Sequence, residues 1–525
     1  MEPLDLFKAS IDLFITYILF CISRNNDGYK QQSAAPGVEP ISATYTSVTG
    51  RDSSESDKRR TATALPKAKL TMVRTITLLQ AHNSLLTNRR SRRSVIIVAA
   101  SFTIVFTCCG LNFAFGVYQA LYDEMARQTN TPFTGASAAQ IDLIGTISIS
   151  LMTIGAPFSV AWAKRFSPRL ISFVGGCIFS MSLILASFGT KLWHFHLTQG
   201  VLLGVGTCMP YMAAVTVAPT WFSSRRGLAM GIILAGTGVG GLVWAPALGA
   251  LIKAVGFRNS LRLAGSLSFG LMAASSAALS WEAQSQARIN AENTSRSGRL
   301  DGILKVPLVD WRVANSRRFV AHSLGAIFQS AAYYTPVFFF ASYASTLGYS
   351  ATAGANFIAL SNACNAIGKI VIGSLADRFG RLNTLFLTTL VSAVVTVGFW
   401  LPSTAAYGTP HESRGLFIAF TVFYGLFASA YVSLFPTSLI EIFGAQNFAS
   451  VNGFLYMIRG MATLAGTPVA GVLIHSRSGS SSPLAYQNMS VLVSVLLFAA
   501  TAAVLWVRIE AMIGPDNKFK YKWRA

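Results

Sequence analysis

Apolar stretches long enough to cross a lipid bilayer recur along this chain, and they restrict its fold more than any other feature. An α-helix needs about 20 apolar residues to cross the hydrocarbon core, and we count twelve such segments between residues 95 and 510. Only 12% of all residues are charged, against roughly a quarter in soluble proteins. Because hydrocarbon offers no partner for a free N–H or C=O, each segment is expected to be helical. The sequence therefore predicts an all-α membrane protein with twelve transmembrane helices.

A polar linker divides these segments into two groups of six. It covers 282–318 and separates a first half at 94–281 from a second half at 319–510. The second segment of the first half ends in AWAKRF (161–166), and the second segment of the second half ends in SLADRF (374–379). This is a weak internal repeat at equivalent places. Paired six-helix repeats around a central site are typical of secondary transporters.

The ends of the chain differ in composition from its centre. Residues 1–93 are predicted to form a disordered basic tail, because 31–93 are rich in Ser, Thr, Ala, Lys and Arg. A second short tail covers 511–525. Lys and Arg are more frequent in the loops on the side of the termini, so both termini are expected to be cytoplasmic. The cluster of Lys253, Arg258 and Arg262 runs against this rule. We expect the plasma membrane, with an internal membrane as the alternative.

The net charge of +22 does not indicate a nucleic-acid-binding protein. The basic residues lie mostly outside the apolar segments, and no patch interleaves them with aromatic residues as nucleic-acid binding requires. The six cysteines form no C-x-x-C pair, and all but Cys21 fall within apolar segments. Neither His nor Cys is spaced as metal ligands or as a nucleophile–base pair. We therefore expect no metal, no cofactor and no enzymatic activity.

The stretch GTGVGG (236–241) matches the G-x-G-x-x-G pattern of dinucleotide-binding turns. That pattern needs a preceding strand and an acidic residue about 20 positions later. Here an apolar helix precedes it, and the first acidic residue after it is Glu282. Small residues repeated along a helix instead allow close packing of moving helices. The predicted packing glycines are Gly231, Gly236, Gly238, Gly240 and Gly241.

Two motifs resemble a known family. GSLADRFGR (373–381) is similar to the G-x-L-A-D-R-x-G-R signature of the major facilitator superfamily. WFSSRRGLAMGIILAGTGVGG (221–241) resembles the region between the fourth and fifth spans of its monocarboxylate transporter family, fungal type. The resemblance covers roughly 95–510 and implies a transporter that moves a small organic anion by alternating access. Lys164 departs from it, since the signature would place an acidic residue there.

The same resemblance points to a substrate site. Monocarboxylate transporters carry an Asp and, four residues later, an Arg in the eighth span, where this chain has Asn365 and Lys369. Residues four apart share one helix face, so Lys369 is predicted to bind the anionic group of the substrate. Alternatively it extends towards the cytoplasm. Arg459 is a second deep cation, which contacts either the substrate or carbonyl groups of a neighbouring helix.

Other polar side chains in apolar segments are candidates for lining the path. They are His322, Asn112, Tyr211, Tyr333 and Tyr334. The alternative for each is a hydrogen-bonded packing role. Asn365 cannot titrate, and the only carboxylates found in the spans, Asp142, Asp377 and Glu441, lie near span ends. Coupling to a proton would then use Lys369 or His322, and facilitated exchange without a proton is the alternative.

Asp377 has a second predicted role as part of a cytoplasmic gate. It is expected to meet the beginning of the fifth span, where Arg225 and Arg226 lie and the helix dipole favours an anion. Gly373 would permit close approach of the two helices. Arg378 and Arg381 complete this candidate gate. Alternatively, these charges only anchor helix ends.

Three functions remain open at this point. The first is a secondary transporter of a small, monocarboxylate-like organic anion, in a lipid bilayer, with or without a proton. The second is an exporter of a larger secondary metabolite. The third is a transporter-like nutrient receptor that signals through its long basic tail. The sequence neither predicts nor excludes an ancillary protein.

Overall fold

The computed structural model describes residues 91–222, 225–295, 309–405, 410–475 and 482–512, and the regular structure of these residues is helical. Residues 1–90 of the predicted tail, 296–308 of the predicted linker and 513–525 of the second tail lie outside the described residues. The chain divides into two compact units, Met1–Ile96 and Ile97–Ala525. All packing and sites described below belong to the second unit.

Eight of the described helices are long and apolar enough to cross a membrane, or nine if one bent pair counts as a single span. That pair bends by 45° between Ile154 and Ala156. Two of the helices are interrupted by a glycine in the left-handed region, Gly256 (φ 79°) and Gly444 (φ 72°). Each break ends one span and begins the next. With the division of these two helices and the helix Arg317–Thr346, the fold is consistent with the twelve predicted spans.

We number the spans in chain order. They are Ser91–Ala126 (first), Ala138–Ile154 with Ala156–Arg165 (second), Pro168–Ala186 (third), Leu192–Trp221 (fourth), Arg226–Ala278 divided at Gly256 (fifth and sixth), Arg317–Thr346 (seventh), Ala351–Phe379 (eighth), Arg381–Ala405 (ninth), Pro410–Ala428 with Ala430–His475 divided at Gly444 (tenth and eleventh) and Gln487–Met512 (twelfth). The predicted linker also contains a helix, Ala283–Ser295.

Serine side chains fix where four of these helices begin. The hydroxyl oxygens of Ser137, Ser167, Ser316 and Ser350 each accept the backbone N–H three residues later, at 3.1–3.3 Å. Such N-caps satisfy one of the free N–H groups at a helix start. The second, third, seventh and eighth spans therefore have starts defined by local sequence.

The two six-span halves meet along two pairs of helices. The fifth span packs against the eighth, and the second packs against the eleventh. In the second pair, an added Cβ at Gly453 would lie 3.2 Å from the Cα of Pro157, and one at Gly460 would lie 2.8 Å from the backbone nitrogen of Ile154. Glycine at these positions lets the helix backbones approach closely. Each half thus contributes one glycine-rich helix to the contact.

Candidate functional site

Arg459 lies buried in the middle of the eleventh span. Only 5% of the residue is exposed, and its Nε donates a hydrogen bond to the hydroxyl of Ser330 at 2.9 Å. Its Nη1 atom has no hydrogen-bond partner, and among the described residues no carboxylate pairs with it. A buried charge without a counter-ion is costly unless it serves a ligand or faces water. The Nη1 group of Arg459 is therefore a buried cationic donor whose hydrogen-bonding capacity is unused.

Three aromatic rings surround the guanidinium of Arg459. Its Cζ lies 4.8 Å from the ring centre of Phe435, 5.1 Å from that of Tyr456 and 5.7 Å from that of Tyr431. Such rings stabilise a desolvated cation through their negative faces. They do so without neutralising it, so the edge that carries Nη1 keeps its capacity to bind an anion.

Arg459 lines a small cavity, which we call the central chamber. Its volume is about 10 Å³, which is room for roughly one water molecule. Both halves contribute to it, and its walls include Met152, Tyr211, Ser330, Tyr334, Tyr456, Arg459 and Thr463. The rings of Tyr211 and Tyr456 meet edge to face, 6.0 Å apart. The chamber is therefore a small space lined by both halves.

A larger cavity, which we call the vestibule, adjoins the chamber and has a volume of about 140 Å³. Its apolar wall consists of Phe113, Phe115, Val337, Phe338, Phe339 and Ile358, and its polar wall includes Asn112, Gln119, Asp142, Thr146, Ser342 and Thr467. Ile149 lines both cavities. Asp142 and Ser342 are exposed, so the vestibule is open on their side. Asp142 is the one charged residue among those that line it.

One face of the eleventh span connects the two cavities. Arg459 and Thr463 line the chamber, and Thr467 lines the vestibule. These residues are four apart and so lie one above another on the helix. The hydroxyl of Thr467 is buried and has no hydrogen-bond partner. The face therefore offers polar groups from the vestibule to the buried cation.

Aromatic rings lie at the boundary of the two cavities. Tyr334 belongs to the chamber, whereas Phe113 and Phe338 belong to the vestibule. The ring of Tyr334 stacks on Phe338 at 6.0 Å and lies 6.3 Å from Phe113. A substrate that moves between the cavities must pass these rings.

Lys369 and Asn365 line neither the chamber nor the vestibule. Lys369 is 2% exposed, and its Nζ donates to the Thr237 hydroxyl at 2.7 Å and to the Leu234 carbonyl at 3.1 Å. The amide of Asn365 donates to the Tyr333 hydroxyl at 2.8 Å. Lys369 thus joins the eighth span to the fifth and does not extend to the surface.

The other predicted lining residues have separate positions. Tyr211 and Tyr334 line the chamber, and Asn112 lines the vestibule, where its amide is bonded to Cys108, Ser148 and Thr207. His322 is fully buried, contacts Ser438 at 3.2 Å and stacks on Phe435 at 5.3 Å. Neither His322 nor Tyr333 is part of the two cavities.

The predicted gate residues occupy the opposite end of the eighth span. The Asp377 carboxylate accepts the backbone N–H groups of Gly227 and Leu228, each at 2.9 Å. Asp377 is 19 residues beyond Ile358 of the vestibule, which is about 28 Å along a helix. An anion at a helix start is stabilised by the free N–H groups and the helix dipole. This contact joins the fifth and eighth spans at the end remote from the vestibule.

The arginine that pairs with Asp377 is not one of those at the fifth span. Arg381 forms the ion pair, at 3.0 Å, and also lies 3.9 Å from Glu441. Arg226 instead donates to the carbonyls of Phe222 and Pro219. Arg225 and Arg378 are exposed and form no ion pair with the described residues. Asp377 thus meets the predicted helix start, but its ion pair is with Arg381 of its own helix end and not with Arg225 or Arg226.

The predicted packing glycines lie on two faces of the fifth span. Towards the eighth span, an added Cβ at Gly231 would overlap the carbonyl oxygen of Lys369, and one at Gly238 would overlap that of Asn362. One at Gly241 would lie 2.9 Å from the side-chain amide nitrogen of Asn362. Gly236 and Gly240 approach the first span instead, at the carbonyls of Phe102 and Phe106. No side chain larger than hydrogen fits these contacts without displacement of a helix.

Sequence reasoning missed several residues of this site. Ser330, Thr463 and Thr467 were not selected, although the four-residue spacing of Arg459, Thr463 and Thr467 is visible in the sequence. Asp142 was noted only as a carboxylate near a span end. No sequence signal shows that it borders a cavity shared by both halves.

Two six-span halves that enclose a cavity, open at one end and closed at the other, define a polytopic protein of the secondary-transporter class. The profile of the Major Facilitator Superfamily matches residues 101–410 and 360–520. The chain belongs to this family, and it is a multi-pass membrane transporter and not an enzyme.

Relatives with descriptive names support this assignment. The chain is 26% identical over 423 residues to the agnestins efflux protein AgnL12 of Paecilomyces divaricatus. This alignment covers 80% of this chain and 89% of that protein. It is 29% identical over 394 residues to the MFS-type transporter hasB of Aspergillus fumigatus, covering 73% and 82% respectively. The crystal structure of the human organic anion transporter MFSD10 is similar in fold, with a TM-score of 0.53, 15% identity and coverage of 78% and 99%.

Proposed function

We propose that this transporter moves an organic anion by alternating access and that Arg459 is the principal contact of the anion. The observation that carries the proposal is the unpartnered Nη1 of a buried arginine in a chamber between the halves. Guanidinium groups form strong, directional hydrogen bonds with carboxylates and sulfonates. Tyr211 and Tyr334, which line the same chamber, are proposed to contact the body of the substrate.

Lys369 is proposed to act in the opposite state. Its Nζ is held by Leu234 and Thr237 of the fifth span. Separation of the fifth and eighth spans would break these bonds and leave the ammonium group to a cavity on that side. Asn365, one turn earlier, would then share this cavity, while His322 and Tyr333 are proposed to support the site by packing. The monocarboxylate-like role predicted for Lys369 and Asn365 thus belongs to the inward-open state.

A second candidate substrate is a larger secondary metabolite, to be exported. Four phenylalanines and three aliphatic side chains (Ile149, Val337 and Ile358) line the vestibule. Such a lining suits an anion with an apolar body better than it suits lactate. The name of one relative describes efflux of agnestins. We propose that both termini are cytoplasmic in the plasma membrane, so that the vestibule faces outwards.

Substrate counterflow in proteoliposomes tests the proposed function. Labelled toluenesulfonate is a suitable probe because it keeps its negative charge at all relevant pH values, and toluenesulfonamide is its neutral counterpart. Loss of a charge-assisted hydrogen bond costs about 1.5–3 kcal/mol, so Arg459→Gln is expected to lower affinity for the sulfonate by at least about tenfold. Arg288→Gln, which removes an exposed arginine, serves as the matched control.

The outcomes separate the candidate functions. Equal exchange of sulfonate and sulfonamide, or an unaltered affinity in Arg459→Gln, would contradict the role of Arg459. Lactate exchanged in preference to toluenesulfonate supports the small-anion substrate, and the reverse supports the larger metabolite. Binding without exchange would favour a receptor, because a receptor does not need to release its ligand on the other side.

A further inference from the structure

We infer that Asp142 is a titratable charge filter of the vestibule, so that an anion enters this cavity readily only when Asp142 is protonated. The inference rests on the proposed function, since it concerns the route of the same anion. Asp142 lies in the first turn and a half of the helix Ala138–Ile154. It is exposed and is the one charged residue among those that line the vestibule.

The surroundings of Asp142 leave its charge uncompensated. Its Oδ1 accepts a hydrogen bond from the side-chain amide of Gln119 in the first span, which is a neutral donor. Among the described residues no Lys, Arg or His forms an ion pair with it. Asp377 is the opposite case, because two backbone N–H groups and Arg381 hold its carboxylate. Protonation of Asp142 therefore breaks no ion pair, whereas protonation of Asp377 would.

The titratable groups around Asp142 come from three directions. On the first span, Asp123 follows Gln119 by one turn, with Arg127 one further turn away. From the fourth span, the His196 ring contacts the carbonyl of Gln140 at 2.8 Å. The second half presents Val337, Phe338, Phe339, Ser342, Ile358 and Thr467 to the vestibule, and none of these titrates. Of the described residues that line the vestibule, the one with a formal charge is thus negative.

This arrangement links the binding of a proton to the binding of an anion. An ionised Asp142 repels an anion that enters the vestibule past it. A protonated Asp142 removes this repulsion and adds a hydrogen-bond donor. Linkage is reciprocal, so an anion in the vestibule also favours protonation of Asp142. Asn365 cannot bind a proton as an acid at its position would. Asp142 in the vestibule takes that role in this inference.

The test compares Asp142→Asn with Asp123→Asn in reconstituted protein. Toluenesulfonate counterflow is measured at a series of pH values that are equal on both sides of the membrane. In the wild type and in Asp123→Asn, the half-saturating concentration is expected to rise with pH by up to about tenfold per pH unit, the limit for one linked proton. In Asp142→Asn it is expected to stay low and independent of pH. A wild-type slope in Asp142→Asn would overturn the inference.

A second readout does not depend on transport. Acidification should produce carboxylic-acid C=O bands in infrared difference spectra, and Asp142→Asn should lose one component that the wild type and Asp123→Asn keep. Identical bands in all three proteins would also overturn the inference. If the wild type exchanges neither toluenesulfonate nor lactate, the proposed function fails, and the infrared comparison still decides whether Asp142 binds the proton.

Discussion

The carboxylate of Asp377 accepts the backbone N–H of Gly227 at 2.9 Å, and this bond ties the end of the eighth span to the beginning of the fifth. The two residues belong to different halves of the protein. The same helix pair is joined two turns earlier by Lys369 and Thr237. Two polar contacts, Asp377 with Gly227 and Lys369 with Thr237, therefore hold the fifth and eighth spans together.

We predict that Asp377→Asn shifts the population towards the state that is open at this end. The substitution removes the charge that the helix start and Arg381 stabilise, and hydrogen bonds to charged groups contribute about 1.5–3 kcal/mol. Spin labels at the exposed positions Arg225 and Arg378 are expected to report longer distances. Asp310→Asn, at an exposed carboxylate, should leave the distance distribution unaltered. An unchanged distribution in Asp377→Asn would mean that the charges only anchor helix ends.

We predict that Gly231→Ala impairs transport far more than Gly249→Ala. An added Cβ at Gly231 overlaps the carbonyl of Lys369, whereas nothing lies within 4 Å of one at Gly249. Overpacking of a tight contact costs roughly 1–3 kcal/mol. The substitution is therefore expected to raise the free energy of the state in which the fifth and eighth spans touch. Both variants are compared by counterflow rate and by thermal stability in detergent. Equal rates for the two variants would argue against a close-packed contact in the transport cycle.

We predict that Lys369→Met and Thr237→Val act non-additively. Each removes one partner of the 2.7 Å bond between the Lys369 ammonium and the Thr237 hydroxyl, and directly interacting pairs usually show coupling energies of about 0.5–3 kcal/mol. Thermal unfolding of the single and double variants measures this coupling. Thr421→Val is the control for loss of a buried hydroxyl. The hydroxyl of Thr421 donates to the carbonyl of Phe417 in its own helix, the tenth span. Strictly additive effects would exclude a functional contact between the two residues.

We predict that Tyr334→Ala opens the boundary between the vestibule and the central chamber. Tyr334 contacts the rings of Phe113 and Phe338 across this boundary, and its truncation removes both contacts. A cysteine introduced at Thr463, which lines the chamber, should then react several-fold faster with a charged methanethiosulfonate reagent. Phe379→Ala, at a residue that is 58% exposed, should have no such effect. Equal reaction rates in both backgrounds would show that the Tyr334 ring does not limit access.

The sequence alone predicted the fold class and the superfamily, because both depend on the composition and order of residues within single segments. The length and apolarity of the segments predicted an all-α membrane protein, because helix length must match bilayer thickness and the backbone must satisfy itself. The motif at 373–381 led to the superfamily that the profile match shows. GTGVGG lacks the preceding strand and the following acid that a dinucleotide-binding turn needs, and both can be checked in the residues themselves. The sequence therefore argued against a nucleotide site there.

Only the tertiary structure decided which polar residues share a space. Arg459 and Lys369 are both deep cations in the sequence, yet Arg459 borders the central chamber and Lys369 is bonded to the fifth span. Asp377 meets the helix start that was expected but pairs with Arg381 and not with Arg226. Asp142 became part of a cavity because the seventh, eighth and eleventh spans complete its walls. A helix sequence defines which residues share a face, whereas the neighbour of that face depends on how the twelve predicted spans pack, and contacts between halves join residues more than a hundred positions apart.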